Sequence, residues 1–195
     1  MREIIGMELH GKHNKWIETS LPLTDYELLD VIECLGVKPG EPFKSEICSY
    51  NEQFVCLSGA MRPNLSLVEL NVLARKLAEL SEYEACVFAG LVAMEMEKRK
   101  GPCELSTLIN YAYSTDCCEV VAGVKNDEQL GRFYFENDFF SELANLPDNV
   151  ASLLSFETIG KKTRLKEGGV FTRGSYVVQT RALKEAYEKL DLTVQ

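Results

Sequence analysis

Residues 66–102 leave the chain less freedom than any other stretch. Ser66-Leu67-Val68-Glu69 has the form of a capping box, in which the serine oxygen takes the amide three residues on and the glutamate reaches back. Leu67, Leu70, Leu73, Ala74, Leu77 and Leu80 then recur at the 3.6-residue helical period. Ser81-Glu82-Tyr83-Glu84 repeats the capping pattern one residue after that helix ends. The second helix carries Ala85, Phe88, Ala89, Val92 and Met96 on its inner face. Its last turn, Lys98-Arg99-Lys100, suits the negative end of the helix dipole, and Gly101-Pro102 stops it. The pattern predicts an αα-hairpin at the centre of the chain, with the Met94/Met96 pair as core filling.

Strand signals lie on either side. Residues 2–9 and 14–20 alternate around Gly11-Lys12-His13-Asn14 and predict a β-hairpin with Trp16 and Ile17 near its core. Thr24-Asp25-Tyr26-Glu27 is a third capping box. It opens a helix to about Leu35, with Leu28, Leu29 and Ile32 inward and Gly36 at the end. Residues 43–50 read as a strand, followed by an irregular stretch to Pro63. Beyond the central helices, Leu105–Tyr113 predicts a helix and Asp116–Val121 a strand. A helix from Pro147-Asp148 to about Phe156 is expected, then a basic segment Glu157–Lys166, helical or irregular. Val170–Phe171 and Ser175–Gln179 form a hairpin turning at Thr172-Arg173-Gly174, and Arg181–Leu190 reads as a terminal helix. The fold class is α+β, in three small units: residues 1–62 (a sheet with one helix), 63–102 (helical) and 103–195 (α+β).

Several function classes drop out on composition. No run of about 18 apolar residues occurs, and the first residues lack the apolar core of a signal peptide, so a cytoplasmic protein without a membrane span is expected. The seven cysteines are odd in number and contain no Cys-x-x-Cys pair, which points to reduced thiols packed as small hydrophobes rather than a zinc site. His10 and His13 sit in a hairpin loop without companions for a metal. Net charge is −9, which opposes direct nucleic-acid binding. The acid is concentrated: residues 101–150 hold nine acidic and two basic residues, whereas 151–195 hold five and eight.

Signatures of catalysis are missing too. The chain has no Gly-x-Gly-x-x-Gly, P-loop, Gly-x-Ser-x-Gly or His-Glu-x-x-His sequence. Cys117-Cys118 is the one unusual pair. Asp116 and Glu119 beside it disfavour a thiolate, and a buried thiol next to an exposed one is the expected arrangement. No catalytic residue, cofactor or metal is expected. What remains is the acidic set Glu104, Asp116, Glu119, Asp127, Glu128, Glu136, Asp138, Glu142 and Asp148, set against only Lys125 and Arg132. It is either a solvated face that maintains solubility or a surface offered to a basic partner.

Asn126–Glu136 lies inside that block. Asn126 is an N-cap, and Gln129 is placed to complete a capping box. Leu130, Phe133 and Tyr134 form an apolar stripe. Gly131, inside the helix, implies close packing against another backbone, such as a partner subunit. Phe139-Phe140 must then be buried or covered by a partner.

Leu130-Gly131-x-x-x-x-Glu136 resembles the antirestriction motif of the ArdA family, DNA-mimicking proteins of plasmids and conjugative transposons. Leu108-Ile109-Asn110-Tyr111-Ala112-Tyr113-Ser114-Thr115-Asp116 resembles the segment preceding that motif in ArdA-like proteins of Gram-positive bacteria. Residues 21–30, from Leu21-Pro22-Leu23, and residues 70–77, from Leu70-Asn71-Val72, are similar to the same group, in the same order. The resemblance implies an elongated α+β chain of three small domains that forms a homodimer. It implies that an acidic face occupies the DNA-binding cleft of the methyltransferase core of a type I restriction–modification enzyme. By the same resemblance Leu130, Gly131 and Glu136 are tied to dimer contacts and activity. The net charge of −9 is low for that family. Two other readings stay open: an interaction module of a mobile element working through apolar helix faces, and a cysteine-dependent enzyme for a small molecule.

Overall fold

The computed structural model describes residues 2–38, 41, 43–62, 65–140 and 153–188. Two three-stranded antiparallel sheets lie at opposite ends of the sequence, with helices between them. The α+β class is the observed one.

The first sheet has the order β2-β1-β3, from β1 (Ile5–His10), β2 (Trp16–Leu21) and β3 (Lys44–Tyr50). Ile5, Met7 and Leu9 point into the core and pair with Leu21, Thr19 and Ile17. This parity corrects one expectation. Trp16 pairs with His10, an outward position, and is 59% exposed. Helix α1 (Asp25–Cys34) begins at the Thr24/Glu27 capping box, with both halves formed. Leu28, Val31 and Ile32 rest on the core, but Leu29 faces solvent, again against expectation.

A 3-10 helix (Glu52–Leu57) inserts Phe54 and Leu57 into the core, where Phe54 meets Phe88 edge-on. Helices α2 (Leu67–Glu79) and α3 (Glu82–Arg99) form as the capping boxes require. They do not pack as a hairpin. The chain turns a corner through Leu80 and Ser81, both extended, so the helices diverge. α2 lies chiefly against α4 (Leu105–Tyr113), while α3 lies against the 3-10 helix and the second sheet. The Ser81/Glu84 box is complete. At Ser66 only the serine half forms, and the Glu69 carboxylate accepts from the Tyr187 hydroxyl instead.

A short 3-10 turn (Thr115–Cys117) leads into β4 (Cys118–Ala122). After α5 (Asp127–Glu136) and α6 (Phe156–Glu167), the chain forms β5 (Val170–Thr172) and β6 (Ser175–Gln179), giving the order β4-β6-β5. The β5–β6 turn has Arg173 and Gly174 both at positive φ, 50° and 75°, as a two-residue hairpin needs. The basic segment 157–166 is therefore helical. The helix expected from Pro147 lies largely outside the described residues, and residues 153–155 are not helical.

The main apolar cluster runs without interruption from Ile4, just before β1, through α2, α3 and α4, to Val177 on β6. It crosses the expected boundaries at 62/63 and 102/103, where Asn71 also pairs with both Leu23 backbone groups and Met61 bridges Cys103. A second cluster of Val124, Leu130 and Tyr176 holds α5 against the distal sheet. Among the described residues no helix is long and apolar enough to cross a membrane.

The terminal segment departs furthest from expectation. Residues 180–188 form no helix. The Lys184 and Tyr187 amides donate to Ser114 Oγ and Asn110 Oδ1 rather than to carbonyls one turn back, and the segment lies extended across α4.

Candidate functional site

Helix α5 carries the Leu-Gly-x-x-x-x-Glu sequence and is fixed at both ends. Asn126 Oδ1 accepts from the Gln129 amide at 2.9 Å. Gln129 does not return the bond to Asn126; its side-chain oxygen accepts from the Lys125 amide at 2.7 Å, one residue earlier. Leu130, Phe133 and Tyr134 form the inner stripe, with Leu130 fully buried.

The close approach expected at Gly131 occurs, but to the same chain rather than to a partner subunit. A Cβ on Gly131 would lie 2.0 Å from the Phe156 carbonyl oxygen, and one on Gly160 would lie 1.8 Å from the Asp127 carbonyl oxygen. The backbones of α5 and α6 therefore touch through two glycines, nearer than any side chain permits. Asp127 locks the crossing, with its carboxylate accepting from Arg164 at 2.7 and 3.2 Å. Arg132 also stacks over the Phe156 ring at 4.8 Å, and Phe135 packs on it at 5.4 Å.

Beyond the crossing, Glu167 accepts from two phenols: Tyr134 at 2.7 Å on one oxygen and Tyr176 at 2.8 Å on the other. Burial, and then the bond to Glu167, push both phenols well above the ordinary tyrosine range. Glu167, Arg164 and Gly160 escaped the sequence reading. Their partners lie 9 to 37 positions away, a separation that no local pattern reports.

The acidic residues divide into two groups. Glu104 pairs with Arg62 at 2.7 Å, Asp116 with Lys184 at 2.7 Å, Asp127 with Arg164, and Glu128 with Arg132 at 3.4 Å. Glu119, Glu136 and Asp138 are exposed and have no salt bridge among the described residues. Asp138 sits just past the helix at φ 54°. Glu142 and Asp148 lie outside the described residues. The motif itself also divides: Leu130 and Gly131 are consumed in packing α5, and Glu136 alone is displayed. α1 adds Asp30 and Glu33, exposed on a helix that carries no basic residue.

Next to the displayed carboxylates lies an aromatic patch. Phe139 is 61% exposed and touches Phe133 and Tyr134, with ring centroids at 6.0 and 4.8 Å; Phe140 stands 5.9 Å from Tyr134. The cysteines are quiet by comparison. Cys117 and Cys118 are both buried, not one in and one out. Burial raises Cys118 to about 12 and Cys56 to about 11. It also raises Cys117, with Asp116 adding to the effect. No described group of three or more His, Cys, Asp or Glu residues is placed to hold a metal ion.

The chain matches no protein-family model, and no curated protein matches it significantly.

Proposed function

We propose that this chain is a non-enzymatic antirestriction protein. It would act as a homodimer that enters the DNA-binding cleft of a type I restriction–modification enzyme in place of duplex DNA. The observation that carries the reading is the division of labour within Leu130-Gly131-x-x-x-x-Glu136. Leu130 seats α5 on the distal sheet, Gly131 welds it to α6, and Glu136 is held out in solvent on the helix so fixed. A decoy for phosphates needs anions on a stiff support, because duplex DNA presents one charge per ~1.7 Å of axis. Glu119 on β4, Glu136 on α5 and Asp138 just past that helix supply exposed anions in support of the reading, and the ordered resemblance of the flanking segments to ArdA-like proteins supports a restriction enzyme as the target.

A second reading has its own support. Four of the nominated carboxylates are neutralised by arginine or lysine, and an exposed aromatic patch lies beside those that remain. That combination suits a protein partner held by apolar contact around Phe139.

Competition with duplex DNA for a type I methyltransferase separates the two. Mimicry gives displacement that weakens steeply as salt rises. Binding that ignores salt and collapses with Phe139→Ala supports the second reading, and no displacement at low salt removes the first.

A further inference from the structure

Residues 180–188 are held in a manner that resembles a bound peptide more than a packed element of the fold. Four amides donate to α4 and the turn after it: Thr180 and Arg181 to the Cys117 carbonyl at 2.9 and 3.1 Å, Lys184 to Ser114 Oγ at 2.9 Å, and Tyr187 to Asn110 Oδ1 at 2.7 Å. Asn110 completes a two-way grip by donating from Nδ2 to the Tyr187 carbonyl at 3.2 Å. The Cys117 thiol donates to the Ala182 carbonyl at 3.2 Å. Asn110, Ser114 and Cys117 follow one another at helical spacing, so a single face of α4 and its extension reads the backbone. Ser114 is fully buried, and its hydroxyl is held by the Asn110 carbonyl while it accepts from Lys184.

Side chains contribute at three positions, one of them the exposed pairing of the Lys184 ammonium with Asp116 at 2.7 Å. Leu183 and Tyr187, four apart, reach the main apolar cluster, and the Tyr187 hydroxyl donates to Glu69 on α2 at 3.3 Å. The other residues from Arg181 to Glu188 are exposed. Leu183 also walls a cavity of about 500 Å³ beside α3, shared with Leu91, Met94 and Tyr111, so its withdrawal enlarges the apolar seat. A segment held by its backbone, two anchors and one exposed ion pair, with no secondary structure of its own, opens at far lower cost than the core beneath it.

We propose that the Asn110–Ser114–Cys117 face is a peptide-binding site that the chain's own residues 180–188 occupy as a displaceable strap. The incoming ligand is an extended peptide of the same chemistry: leucine and tyrosine four positions apart. It has no proline where Thr180, Arg181, Lys184 and Tyr187 stand, because each of those amides is used. Recognition through the backbone leaves the intervening positions free to vary.

The test uses the full chain and a fluorescein-labelled peptide of residues 180–188, followed by anisotropy. The variant Leu183→Ala/Tyr187→Ala, which releases the strap, is expected to bind the peptide at least about tenfold more tightly than the unaltered chain does, because the tethered competitor is weakened. A peptide with proline in place of Lys184 keeps both anchors and is expected not to bind, whereas one with alanine there, which loses only the exposed ion pair with Asp116 and keeps the amide, is expected to bind. Equal binding to variant and unaltered chain overturns the proposal, as does a proline peptide that binds like the parent. Hydrogen exchange on the unaltered chain gives a second readout that needs no variant. The Lys184 and Tyr187 amides are expected to exchange faster than those of α3 and independently of denaturant at low concentration. Exchange only with global unfolding overturns the displaceable strap.

Discussion

At the residue scale, Gly131 and Gly160 leave the least room for a Cβ among the described glycines. Each has a backbone carbonyl of the other helix where a Cβ would stand, and a backbone atom cannot step aside as a side-chain tip can. Gly160→Ala is therefore expected to cost about 2–3 kcal/mol, at the upper end of overpacking penalties, read as a shift in the urea midpoint. Gly131→Leu should cost more and separate α5 from α6. An unchanged midpoint for either variant would show that the helices can part freely. The paired phenols make a different forecast. Tyr134 and Tyr176 hold their protons more firmly in the folded chain than at the ordinary value of 10.0. Above that pH the unfolded chain loses protons that the folded chain keeps, so stability is intact below about pH 10 and falls as pH rises beyond it. Tyr176→Phe should flatten that fall, and a denaturation series from pH 8 to 11 measures it.

Elements show where local signals suffice and where they do not. The caps are written in adjacent residues, so α1, α2, α3 and α5 begin where the sequence places them. The reciprocal half of a box is less secure because a distant group can claim the glutamate, as Tyr187 claims Glu69. Ser81→Ala, which opens a complete box, should cost about 1 kcal/mol in the urea midpoint. The terminal segment shows the converse. Residues 181–190 have helical propensity, but Ser114 and Asn110 take the amides an isolated helix would use. Trp16 faces solvent for a similar reason: its face depends on its partner across the sheet, His10, which a hairpin pattern leaves undetermined. The α5–α6 pair depends on a clamp invisible to any short window, Asp127 on Arg164 across 37 positions. Asp127→Asn leaves Arg164, only 23% exposed, without its anion. It is expected to cost about 2 kcal/mol, and α5 amides should exchange before those of α2.

Across the whole molecule the question is how much of the negative charge is available to a partner. A net −9 states only the sum. Pairing within the chain decides its distribution, and it silences Glu104, Asp116, Asp127 and Glu128 while leaving Glu119, Glu136 and Asp138 to solvent. Composition made the acidic block between 101 and 150 legible, and the motif pointed to its centre. The neutralising cations come from residues 62, 164 and 184 outside the block as well as 132 inside it, so the final pattern is a product of the tertiary fold. This makes the mimicry reading testable by subtraction. The triple variant Glu119→Gln/Glu136→Gln/Asp138→Asn removes displayed charge without touching the α5–α6 crossing. At about 0.5 kcal/mol for each exposed charge, it should weaken displacement of DNA from a type I methyltransferase about tenfold at low salt, with a shallower salt dependence. Asp116→Asn, whose charge is already matched by Lys184, should change displacement little. If the two variants weaken displacement equally, the surface offered to the enzyme is not the one displayed around α5.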